Sequence, residues 1–431
     1  MIDKYKLISR LIFGFLWLTM CWAGVTEHVM PGLSATGTTV LNFLADALLL
    51  VLGIMLMRSW RDMAVMGFFV IVLVGSKLLN GQDMVTMLNG AREYIPLITC
   101  GPIIRWLMNN RHAREFTESL DRQLYWLLWL QAAFITMQYV VFGGWDLAGG
   151  TLGNGFSGAA STYIYVVSFY LTMKRWDFSQ SWSKNIYNCR VYIFLLYPSF
   201  LNETKVSLIY ILLFFVLLYP INKIYVLRLV KLAPAILVLG VGAIYAYGQL
   251  NSDSEYNVLD ADFMNEYLFG DDRDQLVELA LAIQEEDFVT DELWAMDLPR
   301  FAKISLAPEA LETTKGGLWW GAGAGQFRAA THSKFNQAYA WLLQGTVLML
   351  FEVLIDLGVM GCIWLIFTLT VILATPNKEP WGKNVRIFMT AIFFLSMLYD
   401  YELSIQPLVF IYFYIAMAGL QPGPEKKQLK S

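Results

Sequence analysis

The chain has 431 residues, of which 57% are hydrophobic and 15% charged, with a formal net charge of −4 and a mean hydropathy of +0.50. A water-soluble chain carries about 25% charge, so the composition excludes an ordinary soluble domain and points to a polytopic membrane protein. Four cysteines (Cys21, Cys100, Cys189, Cys362) lack CxxC or metal-like spacing and all but Cys189 fall inside apolar runs, so they do not argue for a disulfide framework or zinc site.

Basic residues (Lys4, Lys6, Arg10) precede the first apolar run, as in a signal peptide, and "LTMCWAG" resembles a lipoprotein cleavage box. Met20 stands where a small residue belongs and the run is long enough to span, so it reads as an uncleaved first helix. A span needs about 20 mostly apolar residues. About twelve such stretches begin near Ile8, Thr38, Met63, Val85, Gln123, Ser157, Arg190, Thr204, Leu229, Tyr339, Val385 and Leu403. The seventh is short, carries Pro198 and meets the eighth at a tight turn. The tenth, Tyr339 to Thr375, exceeds one span, so its first turns stand outside the membrane. The expected fold is therefore an all-α polytopic membrane protein occupying residues 1–431 as a single transmembrane domain.

Lys and Arg in the short loops set orientation. Arg58 and Arg61, the group Arg105 to Arg122, the group Lys174 to Arg190, the group Lys223 to Lys231 and the group Lys378 to Arg386 fall on one side if the spans alternate. Lys77 is the exception. Both termini are thus expected to be cytoplasmic. One large external segment, residues 249–336, is acidic and contains two expected helices. "QLVELALAI" is amphipathic, and a second helix runs from "RFAKISL" to "LETT" with a disturbance at Pro308. "GGLWWGAGAGQF" then turns back toward the membrane.

Charges inside spans are candidate functional groups, because each costs several kcal/mol unless it faces protein or water. Arg92 and Glu93 lie about two turns inside the fourth span, Lys205 stands at the outer end of the eighth beside Glu203, and Glu352 and Asp356 share a face of the tenth. Each has a structural reading too. Lys205 can snorkel to the interface, Arg92 can be a buried pair with Glu93 or another carboxylate, and Glu352 and Asp356 can serve helix packing. "GAGAGQF" lacks the third glycine of a dinucleotide fingerprint, leaving a flexible turn or a close approach for a bulky lipid-linked ligand. Beside it stand Arg328, His332 and Lys334. A histidine there is a candidate base or an ordinary surface residue. In "DLAGGTLGNG", Thr151 and Asn154 belong to an outer loop, a turn whose amides and hydroxyls can also bind sugar. The acidic run lacks EF-hand ligand order, and nothing points to nucleic acid, a Walker loop or haem.

Several segments in order resemble the O-antigen ligase/polymerase superfamily, with its Wzy-type polymerases and WaaL-type ligases. "GGTLGN" (Gly149–Asn154) looks like the family's "GTFGN" loop, and "NETKVSL" sits where the family has "TxSRG", with Lys205 in place of arginine. "RFAKISLAPEALETTKGGLWWGAGAGQF" followed by "LFEVLIDLGVMG" is similar to "R…al…GxGxGxF…E/DxGxxG", matching Arg300 and Asp356. The family's "HN" histidine has no counterpart in register, the equivalent position falling near Val347. The resemblance, over roughly residues 85–375, implies a GT-C-like glycosyltransferase in the bacterial inner membrane. It would act on an undecaprenyl-diphosphate-linked glycan at the periplasmic face, without metal or other cofactor. Arg92, Lys205, Arg300 and Arg328 would hold the diphosphate. Glu203 or His332 would handle the acceptor proton, and Thr151, Asn154 and Asp356 would meet the glycan. The acceptor would be another repeat unit for a polymerase, with a chain-length regulator as a partner the resemblance admits, or lipid A core or protein for a ligase. A lipid-linked oligosaccharide flippase is the reading from another class.

Overall fold

The computed structural model describes residues 4–29, 34–143, 148–201, 206–218, 300–326, 334–343, 347–375, 379, 381–399 and 402–418. Most of these residues are helical, and none is in a strand. The expected amphipathic helix at "QLVELALAI" and the ninth expected span lie outside them. The chain divides into two compact units, one made of residues 1–68, 92–220 and 366–431, the other of residues 69–91 and 221–365.

The helices are α1 (Lys4–Val29), α2 (Ser34–Leu56), α3 (Trp60–Asn80), α4 (Met84–Ala91), α5 (Ile95–Met108), α6 (Ala113–Phe142), α7 (Ser157–Arg175), α8 (Trp182–Phe194), α9 (Pro198–Leu201) and α10 (Val206–Val216). After the undescribed stretch come α11 (Arg300–Glu312), α12 (Gly317–Trp320), α13 (Lys334–Tyr339), α14 (Met349–Leu373), α15 (Gly382–Tyr399) and α16 (Gln406–Met417). Among the described residues, five helices are long and apolar enough to cross a membrane: α1, α2, α3, α6 and α14. Their outward faces are apolar, as Val40, Phe43, Val51 and Ile54 on α2, Val70 and Ile71 on α3, and Val140 and Val141 on α6 are all exposed. Bare apolar faces of this extent suit lipid rather than water.

The other expected spans depart from that pattern for local reasons. The fourth is two helices: α4 ends at Ala91, a 3-10 turn covers Arg92–Tyr94, and α5 restarts at Ile95 with Pro96 in its first turn. A proline is tolerated there because its missing N–H would have no intrahelical partner. The sixth, α7, is buried from Ala159 to Met173, including Ser161, Thr162, Ser168 and Thr172. Surrounded by protein, α7 needs no lipid-facing stripe, and hydroxyls replace aliphatic groups along it. α16 is buried from Pro407 to Met417 in the same way. α5 packs on α2 and α16, and α7 packs on α6, α8, α10 and α15, so α5, α7 and α16 form the interior of the first unit. The apolar stretch from Tyr339 does not run as one span: two short helical segments, Lys334–Tyr339 and Ala340–Leu343, precede α14.

Several connections of the first unit share one end. Tyr5, near the start of α1, donates to the carbonyl of Leu107 at 3.2 Å and packs its ring at a tilt against His112. Arg105 near the end of α5 pairs with Asp62 at the start of α3. Arg386 of α15 donates to the carbonyl of Thr375 after α14. Lys174 at the end of α7 pairs with Asp121 of α6, which also accepts from Tyr170 and Tyr414 at 2.9 and 3.0 Å. At this end Arg58, Arg61 and Arg105, from two of the basic loop groups, line one cavity.

The second unit's core joins α11, the glycine-rich turn, α13 with the 3-10 segment after it, and the start of α14 through Leu306, Leu311, Ala322, Tyr339, Trp341, Phe351 and Ile355. α11 runs through Pro308 without ending, so the expected disturbance leaves one helix, Arg300–Glu312. α14 is bent at Gly358, whose φ of 67° and ψ of −164° break the helical ladder.

Candidate functional site

Of the residues singled out in the sequence, Arg92, Glu93, Thr151, Asn154, Glu352 and Asp356 are described with their side chains. Arg300 begins α11, though its side chain is not described, and Glu203, Lys205, Arg328 and His332 lie outside the described residues.

Arg92 stands on the 3-10 turn between α4 and α5. Its Nε and Nη2 donate to Asp46 Oδ2 on α2 at 3.0 and 2.9 Å, and Gln406 at the start of α16 donates to Asp46 Oδ1 at 2.9 Å. The guanidinium also lies 5.2 Å from the ring centroid of Phe43. Asp46 is ten residues from the end of α2, about 15 Å along its axis, so the pair stands near the middle of a span. The Arg92 side chain remains 30% exposed while that of Asp46 is 7% exposed. The buried carboxylate therefore fixes the orientation of a cation that keeps a surface of its own. Of the two partners considered for Arg92, Glu93 and another carboxylate, the structure supplies the latter. Asp46 was not singled out in the sequence, although a lone acid inside the apolar run Gly37–Leu56 is itself the signal.

The "GGTLGN" loop is tied to α6 and α1. Gln131 and Gln138 face it from α6. Gln131 Nε2 donates to Gly149 O at 3.0 Å, Thr151 N–H donates to Gln131 Oε1 at 2.9 Å, and Gly150 N–H donates to Gln138 Oε1. The buried Thr151 hydroxyl is also spent on Gln131 Oε1. Asn154 differs: its N–H donates to Glu27 Oε2 of α1 at 2.8 Å and its side chain is exposed. Thr151 thus shapes the loop, and Asn154 is the member presented outward.

A third polar group was not expected. Glu402, in the turn before α16, is 1% exposed. It accepts from Thr162 Oγ1 of α7 at 2.6 Å and from the Tyr412 hydroxyl at 2.9 Å, and the Thr162 hydroxyl lies 3.1 Å from that of Tyr210 on α10. "YDYELS" reads as an outer loop, and only the folded chain brings α7 and α10 to its glutamate.

In the second unit the glycine-rich turn is packed against backbone. The break at Gly358 frees carbonyls one turn earlier, and the turn uses them: Ala322 N–H donates to Ile355 O at 2.7 Å and Gly323 N–H to Asp356 O at 3.1 Å. Asp356, 2% exposed, accepts from Gly325 N–H at 3.2 Å through its carboxylate. Asn80 of α3 donates to Gly321 O and accepts from Gly316 N–H, both at 2.9 Å, while Gln82 donates to Ala324 O. A Cβ at Gly90 of α4 would collide with the backbone of Ala324 and Gly325, and one at Gly358 with that of Trp319. What approaches these glycines is the chain's own backbone, where a flexible turn or a lipid-linked ligand was expected. Asp356, singled out for the glycan, holds this turn.

Among the described residues, no cluster of three or more His, Cys, Asp or Glu side chains is arranged to hold a metal. Compared with protein-family models and with curated proteins, the chain matches none.

Proposed function

We propose that the chain is a membrane glycosyltransferase of the lipid-linked polysaccharide type, with about twelve spans in a GT-C-like arrangement in a bacterial inner membrane. It polymerises undecaprenyl-diphosphate-linked repeat units at the periplasmic face, both termini being cytoplasmic. The observation that carries the reading is Arg92: a cation at membrane depth, aimed by Asp46 and Gln406, and still 30% exposed. Such a fixed guanidinium suits a group whose negative charge grows as a bond breaks. In the reaction an acceptor hydroxyl attacks the anomeric carbon, the bond to the diphosphate oxygen breaks, and the lipid diphosphate departs with both electrons. Glu203 or His332 takes the hydroxyl proton. Lys205, Arg300 and Arg328 are the other cations that the motif resemblance assigns to the diphosphate. Asn154 meets the glycan, with Thr151 and Asp356 acting as positioning residues through the loops they hold.

The order of "GGTLGN", "NETKVSL" and the glycine–aspartate pair supports this class. The contacts of Ile355 with Ala322 and of Asp356 with Gly323 and Gly325 give the last motif a physical unity in this chain. A second reading, a transporter of the same lipid-linked glycan, is favoured by the breaks at Arg92–Tyr94 and Gly358, since discontinuous helices are common in transporters. The deciding experiment supplies purified protein in vesicles with a defined lipid-diphosphate-linked repeat. A ladder of lengthened glycans is expected. Transfer only to added lipid A core makes it a ligase, and translocation without new glycosidic bonds makes it a transporter.

A further inference from the structure

A cavity of about 440 Å³ opens at the basic end of the first unit, apart from every residue assigned to glycosyl transfer. It is formed where α2 ends, α3 begins and α5 ends. Its lining includes Arg58, Trp60, Arg61, Asp62, Arg105 and Trp106. Three arginines against one aspartate leave two positive charges. Asp62 is already claimed by Arg105, 3.1 Å away, and Arg105 also reaches Thr375 Oγ1 and Val371 O at 3.4 Å each. Arg105 is therefore part of the wall. Arg58 and Arg61 are different: both are exposed, and neither forms an ion pair among the described residues. Arg61 leans on Trp60, with its guanidinium carbon 5.9 Å from the ring centroid.

The surroundings select a lipid over a soluble anion. Trp60 is 69% exposed, and Met55 and Met63, on the two helices that frame the cavity, are more than half exposed. An exposed tryptophan at a helix end beside bare aliphatic surface marks the level of the headgroups. Basic pockets between spanning helices at that level bind phosphate headgroups, and arginine forks match phosphate oxygens two at a time.

We infer that this cavity is a binding site for the phosphate headgroup of an anionic phospholipid, held by Arg58 and Arg61, with Trp60 at the boundary between headgroup and acyl chains. By the positive-inside rule the lipid belongs to the cytoplasmic leaflet. The site stands whether or not the chain transfers sugars, because none of its residues takes part in that reading.

The test is native mass spectrometry of the purified full-length protein with phosphatidylglycerol, phosphatidylcholine or soluble glycerol 3-phosphate. Phosphatidylglycerol should be retained over phosphatidylcholine at equal concentration. The double variant Arg58→Gln/Arg61→Gln should lower its occupancy at least tenfold. Arg114→Gln/Arg122→Gln, which removes the same charge from exposed positions of α6 outside the cavity, should leave occupancy unchanged. Equal retention of the two lipids overturns the proposal, as does an unaffected double variant or an equal loss in the α6 control. Glycerol 3-phosphate displacing the lipid at matched concentration assigns the cavity to a soluble phosphate and overturns the lipid source.

Discussion

The two units bury polar groups by different means. In the first, side chain meets side chain across long sequence separations: Arg92 with Asp46 and Gln406, Arg105 with Asp62, Glu402 with Thr162 and Tyr412. In the second, backbone meets backbone, and glycines create the room for it at Gly90, Gly321–Gly325 and Gly358. Side-chain pairing tolerates conservative replacement, because a rotamer can adjust. Backbone docking does not, because a Cβ has nowhere to go.

The sharpest way to break the contrast is Gly358→Val. Its φ of 67° penalises a β-branched residue and the new side chain would strike the backbone of Trp319. Together these cost about 3 kcal/mol or more, seen as loss of monodisperse protein on size exclusion and a lowered Tm. A wild-type Tm would show that the turn can move away from α14. Asp46→Ala comes next. It removes the carboxylate to which Arg92 and Gln406 donate, and since Arg92 keeps some solvent the cost is about 2 kcal/mol, less than for a fully buried pair. Adding Arg92→Ala should recover part of that loss, and thermal unfolding of the single and double variants measures it. No recovery would mean that the two residues are not coupled. Glu402→Gln keeps an acceptor but loses its charge, and should cost about 1 kcal/mol by the same assay.

The smallest effect belongs to Asp83, which caps α4 by accepting from Thr86 N–H at 2.8 Å. Hydrogen bonds from Thr86 hold its carboxyl below the ordinary carboxylate range. A lowered pKa in the folded state means that the cap contributes fully above that range and is lost as pH falls through the folded value. Asp83→Asn should therefore flatten the acid limb of the stability curve slightly. An unchanged limb would assign it to other carboxylates.

These cases show what the sequence made legible. The all-helical membrane class followed from composition, and the starts of α2, α3, α7 and α15 lie within a few residues of the expected ones, because hydropathy acts locally. Arg92 and Asp356 were visible because a charge in an apolar run is conspicuous in one dimension. Their partners were not: Asp46 is 46 positions from Arg92, and Gln406 is 360 from Asp46. The turn 321–326 was read as open because glycine spacing reports room for a neighbour without naming it. The neighbour, the bent start of α14, lies some thirty residues further on. The break inside the fourth span was missed for a related reason, since apolar residues flank Arg92–Tyr94 on both sides and only the backbone shows the change of path.

The enclosure of α7 bears on how the chain enters the bilayer. A segment lined with Ser161, Thr162, Ser168 and Thr172 has little affinity for hydrocarbon by itself, and its cover arrives partly from α15 and α16, synthesised more than two hundred residues later. Between those moments the nascent protein must shelter α7 against the translocation machinery, an insertase or the helices already made. Chains truncated before Gly382 should then be degraded while longer ones accumulate, so that biogenesis, rather than catalysis, sets the shortest version of this protein a cell can keep.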